Sequence, residues 1–472
     1  MYKEKIDAYI DSKKDEMLAD LSRLVRINSQ RGEAKAGMPF GEGPAKVLAE
    51  AEDLLKEHGF AVTNYDNYVV TGDFSDAEKV LDILAHLDVV PVTDDWTVTR
   101  PFEPKVVGGR IYGRGTADDK GPAIAALYAM KAIKELGIPM KKSVRLILGS
   151  DEECGSGDLD YYYRKEEEAP YTFTPDAEFP VINIEKGRFA PQLTAQFQEG
   201  LKLPGVLSLK SGDKVNVVPQ RAQAMIAGVA DSDLSRAAEE VGAATGVAFT
   251  LTRCEGYYVV DAKGQAAHAS TPEEGKNALT AMLRFISKLD LAVSQGHNAL
   301  NALDQLFPYE DTCGKTLGIY CENKESGALT LSFSMLDYTP EKMSAAFDAR
   351  LPIGCQDANT KEPVAKLLSE FGIYLTGELV GPHCVPGDSQ FVKTLLGSYE
   401  RYTGIKGEPL AIGGGTYVHG LERGVAFGCM SSDVDNHMHG DDEFMEIDTL
   451  LMSAKIFADA IIKICNEFKS PV

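Results

Sequence analysis

Two short apolar runs constrain this chain more than any other feature. Val80–His86 and Ser143–Gly149 are each about the length of one buried strand, and each runs directly into charged residues. The first ends in His86-Leu87-Asp88. The second ends in Ser150-Asp151-Glu152-Glu153-Cys154-Gly155-Ser156. Strands buried on both faces belong to α/β sheets covered by helices, and such sheets place ligands beyond the carboxyl ends of their strands. Helical patterns surround the two runs: Tyr2–Arg26, Gly43–His58 and Ala123–Leu136 before and between them, and Ile447–Phe468 at the end of the chain. Val62–Gly72 alternates as a strand or hairpin would, and Val181–Ile184 reads as a further apolar strand.

Between the two runs lies Ile111–Pro122, Ile-Tyr-Gly-Arg-Gly-Thr-Ala-Asp-Asp-Lys-Gly-Pro. Its acids Asp118 and Asp119 are adjacent, so regular structure would point them apart, whereas a loop at a helix start can aim one freely. Alone, the pair reads more readily as an acidic helix cap. Asp176 and Glu178 precede Val181–Ile184 in Thr-Pro-Asp-Ala-Glu-Phe-Pro, and the last third of the chain contributes His437-Met438-His439-Gly440. A histidine and an acid two apart, as in His86 and Asp88, lie on one side of an extended segment. Such a pair suits a metal ligand with a carboxylate behind it.

With 472 residues the chain exceeds one ordinary core, and two or more domains are expected. From about Gly187 to Leu379 the histidines thin out and strands alternate with helices, which reads as an inserted α+β domain. The expected organisation is a catalytic domain in two pieces, 1–186 and 380–472, with 187–379 inserted as a lid. A net charge of −23 argues against nucleic acid or an anionic membrane as partner. No apolar run reaches the ~20 residues that span a bilayer. Eight scattered cysteines without a C-x-x-C pair, and a charged start with no apolar segment, point to a reduced, cytoplasmic protein.

His86, Asp118, Glu152/Glu153, Asp176 and His439 form the candidate set. Two histidines with three carboxylates suit a pair of divalent ions, zinc or manganese, with one carboxylate bridging. A spare glutamate beside them supplies a base. His268, Asn216, Arg350 and the triplet Gly413-Gly414-Gly415 are weaker candidates, each with an ordinary structural reading.

His86-Leu-Asp88, Gly-Arg-Gly-Thr-Ala-Asp118-Asp-Lys-Gly-Pro, Asp-Glu152-Glu153-Cys-Gly-Ser, Pro-Asp176-Ala-Glu-Phe-Pro and Met-His439-Gly-Asp-Asp-Glu together resemble the co-catalytic metallopeptidase family of aminoacylases, carnosinases and glutamate carboxypeptidases. The resemblance spans nearly the whole chain, and its long insertion is most similar to the bacterial PepV-type dipeptidases. It implies a zinc-exopeptidase-like catalytic domain with a mixed central sheet, and a lid of two ferredoxin-like halves. It implies that His86 and Asp176 hold one ion, Glu153 and His439 the other, and that Asp118 bridges them through a cis bond to Asp119. Zinc is the family's usual ion, with manganese or cobalt as alternatives. Glu152 would be general base and then acid, and Asp88 would orient His86. His268 would reach over the cleft to the oxyanion, while Asn216, Arg350 and Gly413–Gly415 would grip the substrate's carboxylate. The implied activity is hydrolysis of dipeptides or short peptides with a free N-terminus. The alternatives are an amidohydrolase of N-acyl amino acids and a non-catalytic metal- or peptide-binding protein that kept the fold. Relatives with a short insertion dimerise and borrow a histidine; this longer insertion is expected to replace the partner within a monomer, with a homodimer as the alternative. Cys154 stands where a small polar residue is expected and reads as a buried filler rather than a ligand. His437 reads as a decoy beside His439.

Overall fold

The computed structural model describes residues 2–468. The chain forms two compact units. The first comprises residues up to Ile184, Cys384–Leu410 and the chain from Gly415 onward; the second comprises Glu185–His383 and Ala411–Gly414.

The first unit is built on a nine-stranded mixed sheet. Lys79–His86 lies at its centre, parallel to Ser143–Gly149 on one side and to Tyr171–Thr174 on the other. Ala61–Tyr65 and Val69–Asp73 form the hairpin at one edge, antiparallel to Ser143–Gly149. Because side chains alternate along a strand, the two apolar runs feed both faces. Ile83, Ala85, Leu146 and Leu148 enter the larger core, and Leu84 and Ile147 enter a smaller one with Val69, Leu159, Tyr162 and Tyr417. Helices Lys120–Glu135 and Ile447–Glu467 pack on each other and cover the larger face. Lys120–Glu135 is buried from Lys120 to Ile133, and its run of alanines and Gly121 lets it lie close to its neighbours. A Cβ on Gly121 would come within 2.0 Å of Thr116 O, so only glycine fits there.

The expected single helix over Tyr2–Arg26 is two helices, Lys3–Ser12 and Lys14–Val25. Ser12 Oγ turns back to Tyr9 O at 2.6 Å, and Lys13 N–H divides between Tyr9 O and Ile10 O. The helical ladder thus tightens for one turn and breaks at Lys13, as serine hydroxyls competing for backbone acceptors promote.

The second unit carries one ten-stranded sheet. One half consists of Ala248–Arg253, Tyr258–Lys263, Arg221–Ala227 and Gly205–Ser211, covered by Asp231–Thr245 and Ala278–Ser287. The other half is led by Thr330–Thr339 and Lys342–Leu351, with helix Lys361–Ser369. Gly205–Ser211 bonds antiparallel to Thr330–Thr339, so the two halves share a continuous sheet and a single core. That joining strand and the helix Gln295–Leu306 are elements that sequence patterning passed over.

The chain changes sheets at Lys186. Val181–Glu185 still pairs in the first sheet, whereas Gly187–Phe189 pairs with Lys342–Leu351 in the second. On the return, Leu379–Val380 is still in the second sheet and His383–Cys384 in the first. The short segment Ala411–Gly414 also belongs to the second unit, where Lys186 N–H donates to Ile412 O at 2.9 Å. The piece expected as an unbroken 380–472 is therefore interrupted once.

Candidate dinuclear metal site

The first unit gathers the candidate ligands from strand ends and loops. His86 is the last residue of the central strand and is fully buried. Its Nε2 lies 2.9 Å from Asp118 Oδ1 and 3.6 Å from Asp176 Oδ2. His439 Nε2 lies 2.8 Å from Asp118 Oδ2 and 3.2 Å from Glu153 Oε1. Asp118 thus presents one carboxylate oxygen to each imidazole. Two three-ligand groups result, His86–Asp118–Asp176 and Asp118–Glu153–His439, sharing Asp118.

The loop that carries Asp118 has a cis peptide bond between Asp118 and Asp119. Asp119 turns away from its neighbour and accepts from His86 N–H at 3.2 Å. Asp88 lies beside His86 and also reaches the end of the neighbouring strand. His86 Nδ1 lies 3.1 Å from the Asp88 carbonyl and 3.4 Å from its carboxylate. The same carboxylate accepts from Glu152 N–H at 3.1 Å and Glu153 N–H at 3.2 Å. One buried residue therefore meets the histidine through its carbonyl and holds the turn that carries both glutamates through its carboxylate. Asp158 braces that turn from behind: it accepts from Ser150 N–H and Asp151 N–H, at 2.6 and 3.0 Å, and from the Tyr417 hydroxyl.

Glu443 is a site residue that the sequence did not single out. It is fully buried and accepts from Ala117 N–H at 2.9 Å, Gly115 N–H at 3.1 Å and Asp118 N–H at 3.3 Å. Arg114 Nη1 donates to it at 2.6 Å, and Arg114 Nη2 donates to Gly440 O at 2.9 Å. Glu443 and Arg114 thereby tie the Asp118 loop to the His439 loop. The available signal was an arginine between two glycines and a third acid after His439, both easily taken for solvated residues.

The electrostatics are those of an acidic site short of cations. Burial would raise the Asp118 carboxyl, but His439 and His86 hold it far below the usual carboxylate range. Burial opposes protonation of His86, yet Asp118 and Asp88 keep its pKa well above the ordinary value. Hydrogen bonds to Asp118 and Glu153 lift His439 to about 10. Asp176 is pushed well upward by burial and by neighbouring Asp119. Burial pushes Glu152 up to about 8; His86 opposes the shift, and Glu153, Asp118 and Asp88 add to it. Among the described residues, the ion-pair partners of Asp118, Glu153 and Asp176 are the two histidines alone. The buried oxygen Asp119 Oδ1 has no hydrogen-bond partner. Imidazole and carboxylate donors crowded with too little positive charge fit a pair of divalent cations.

Two neighbouring residues lie outside this set. His437 Nδ1 faces the Asp441 carbonyl of its own loop at 3.1 Å. Cys154 is exposed rather than the buried filler expected, because the turn after Glu153 leads outward to Gly155.

The remaining candidates lie in the second unit, apart from Gly415. His268 is bridged to Val217, and Ala269 N–H donates to Asn216 O at 2.9 Å. Arg350 is buried, and its guanidinium is held by Asp348 at 2.6 and 3.2 Å. Its Nη1 donates to Gly413 O at 2.6 Å. Gly414 belongs to the same unit, while Gly415 begins the return to the first.

The sequence pattern of peptidase family M20/M25/M40 matches residues 83–463. The Beta-Ala-Xaa dipeptidase of Lactobacillus delbrueckii subsp. lactis is 36% identical over 470 residues, covering 97% of each chain. A putative dipeptidase of Bacillus subtilis, YtjP, is 34% identical over 461 residues, covering 96% of this chain and 98% of its own. Among solved structures, human carnosine dipeptidase 1 shares the fold with a TM-score of 0.62 at 16% identity, covering 98% of this chain and 99% of its own. The di-peptidase Dug1p of Saccharomyces cerevisiae does so with a TM-score of 0.59 at 14% identity, covering 98% of each.

Proposed function

The chain belongs to peptidase family M20/M25/M40, and we propose on that premise that it is a metal-dependent dipeptidase acting on dipeptides or short peptides with a free N-terminus. The observation that carries the reading is Asp118, with one oxygen at each histidine. His86 and Asp176 would hold one divalent ion, Glu153 and His439 the other, and Asp118 both. Bound there, the two ions would polarise the scissile carbonyl and lower the pKa of the attacking water. Zinc suits the imidazole–carboxylate set, as do manganese and cobalt.

The chain's own residues handle the protons. Glu152 takes a proton from the water at its carboxylate and returns it to the leaving amine. Burial favours the protonated carboxyl of Glu152 and bound cations would favour its carboxylate, the balance a proton shuttle needs. Asp88 fixes the turn that carries Glu152 and the ring of His86 together. His268 supplies a hydrogen bond to the developing oxyanion. Asn216, Gly414 and Gly415 are the candidates for the substrate's carboxylate. Arg350, with its fork occupied by Asp348, would act there through the Gly413 carbonyl that it holds. Eight unbridged cysteines support a reducing compartment, the cytoplasm, and no helix among the described residues is long and apolar enough to cross a membrane.

The test is a panel of dipeptides and N-acyl amino acids, assayed with zinc, manganese or cobalt and with chelator. Dipeptide turnover that chelator abolishes and Glu152→Gln removes supports the reading. Turnover of N-acyl amino acids alone would replace it with the amidohydrolase alternative.

A further inference from the structure

We propose that Ser270 fixes the tautomer of His268, so that the ring carries its proton on Nε2 and offers an N–H rather than a lone pair there. The argument begins with the backbone. Val218 N–H donates to Ala267 O and Ala269 N–H to Asn216 O, both at 2.9 Å, which straps the His268 segment onto the chain beside it. Thr271 N–H then donates to His268 O at 3.1 Å and closes a turn. The turn brings Ser270 back onto its own histidine. Ser270 N–H points at His268 Nδ1 at 3.2 Å, and Ser270 Oγ lies 2.6 Å from the same nitrogen. A hydroxyl can donate or accept, but a backbone N–H can only donate. Nδ1 therefore presents its lone pair, the hydroxyl donates to it as well, and the single proton of the neutral ring stays on Nε2.

Ser270 is itself held in place. A Cβ on Gly413 would lie 2.7 Å from Ser270 Cβ, so Gly413 is a close-fitting wall behind the serine. The Gly413 carbonyl is gripped by Arg350, and Arg350 by Asp348 two residues earlier on the same strand. Asp348, Arg350 and Gly413 thus form a backstop within the second unit that presses Ser270 against the imidazole. This gives the buried arginine and the first glycine of the triplet a use that does not require either to touch substrate. The consequence for the reaction rests on the reading of His268 as oxyanion donor. An Nε2–H stabilises negative charge on oxygen, whereas an Nε2 lone pair repels it. Ser270 is a positioning residue in this scheme, acting only through His268.

The experiment is nitrogen NMR on the full-length, metal-loaded protein labelled at histidine, at a pH where the ring is neutral. His268 is one of eight histidines and is assigned by its loss in His268→Gln. The expected spectrum shows Nε2 protonated and Nδ1 bearing the lone pair. Ser270→Ala keeps only the longer N–H contact at 3.2 Å and loses the hydroxyl at 2.6 Å, the stronger of the two donors, and should shift His268 toward a mixture of tautomers. With it kcat should fall roughly 10-fold or more while KM changes by less than about 3-fold, the pattern of an interaction made only in the transition state. Ser270→Thr should restore both. His268→Ala should cost about 10²–10³ in kcat, and adding Ser270→Ala to it should cost nothing further. A wild-type spectrum with the proton on Nδ1 overturns the proposal. So does a Ser270→Ala variant with unchanged His268 resonances and unchanged kcat. If His268→Ala turns over at the wild-type rate, the oxyanion reading fails instead, and the spectra alone decide the tautomer.

Discussion

Replacing Glu443 by Gln perturbs the least visible part of the site and has a calculable cost. Glu443 is fully buried and receives four donors: three backbone N–H groups of the Asp118 loop and the Arg114 guanidinium, itself 2% exposed. Glutamine keeps the shape and one acceptor oxygen, and that oxygen can still serve Ala117 and Asp118. Its amide nitrogen would face Gly115 N–H and Arg114 Nη1, donor against donor. The variant thus removes one charged pair and leaves a buried cation uncompensated, a change that costs about 3–5 kcal/mol in buried pairs. The hydrogen bonds to Ala117 and Asp118 are common to both proteins and drop out of the difference, so we expect a loss of about 3–5 kcal/mol. Metal affinity should fall as well, by roughly 10–100-fold, because Glu443 and Arg114 hold the Asp118 and His439 loops without touching the ions. The assay is built in. Trp96 is the single tryptophan, and the Arg114 guanidinium lies 5.6 Å from its ring centre, so urea unfolding followed by tryptophan emission reports this corner directly. Metal affinity is read in parallel by competition with a chelator. A Glu443→Gln protein with the wild-type unfolding midpoint and wild-type metal affinity would refute the claim that this pair ties the two loops together.

Other expectations follow from the same geometry. Glu152→Gln should bind metal normally yet lose about 10²–10⁴ in kcat. The acid limb of the wild-type kcat/KM profile should lie below about 8, since bound cations lower the Glu152 pKa from its cation-free value; a limb unchanged in the variant's residual activity would assign it elsewhere. Asp82, buried in the central strand, has its pKa pushed by burial to about 7, with Arg145 opposing. Between its unfolded value of about 4 and 7 the folded protein binds a proton that the unfolded chain has released, so stability falls as pH rises through that window. Asp82→Asn should flatten that part of the stability–pH curve by about one proton, and an unaltered slope would count against the burial argument. Sedimentation should give a monomer of 51.2 kDa; an obligate dimer whose inactive His268 and Glu152 variants complement each other on mixing would show that the insertion does not replace a partner.

Most of the candidate ligands were legible because they are chemically distinctive residues at the end of a recognisable element. His86 and Glu153 follow apolar strands, and Asp118 precedes an apolar helix. Local pattern fails where a residue's meaning comes from a distant partner. Glu443 meets Arg114 across 329 positions, and nothing in Asp-Asp-Glu distinguishes a buried acid from a solvated one. Ser270 was passed over because a serine two residues after a histidine is ordinary until the turn folds it back. The joining strand Gly205–Ser211 has its pairing partners on both sides supplied by other segments, one of them more than a hundred residues away. Helix Gln295–Leu306 has glycine, histidine and asparagine, all weak helix formers, directly after its first residue, and is started by a Ser294 cap instead.

The central claim is that five side chains converge on two cations, and counting those cations tests it most directly. Metal-free protein would be titrated with zinc, manganese or cobalt while bound metal and dipeptide turnover are recorded together. The account predicts two equivalents per chain, with the stoichiometry and the turnover both collapsing in Asp118→Asn. Full activity at one equivalent, or an Asp118→Asn protein that still binds two, would contradict it.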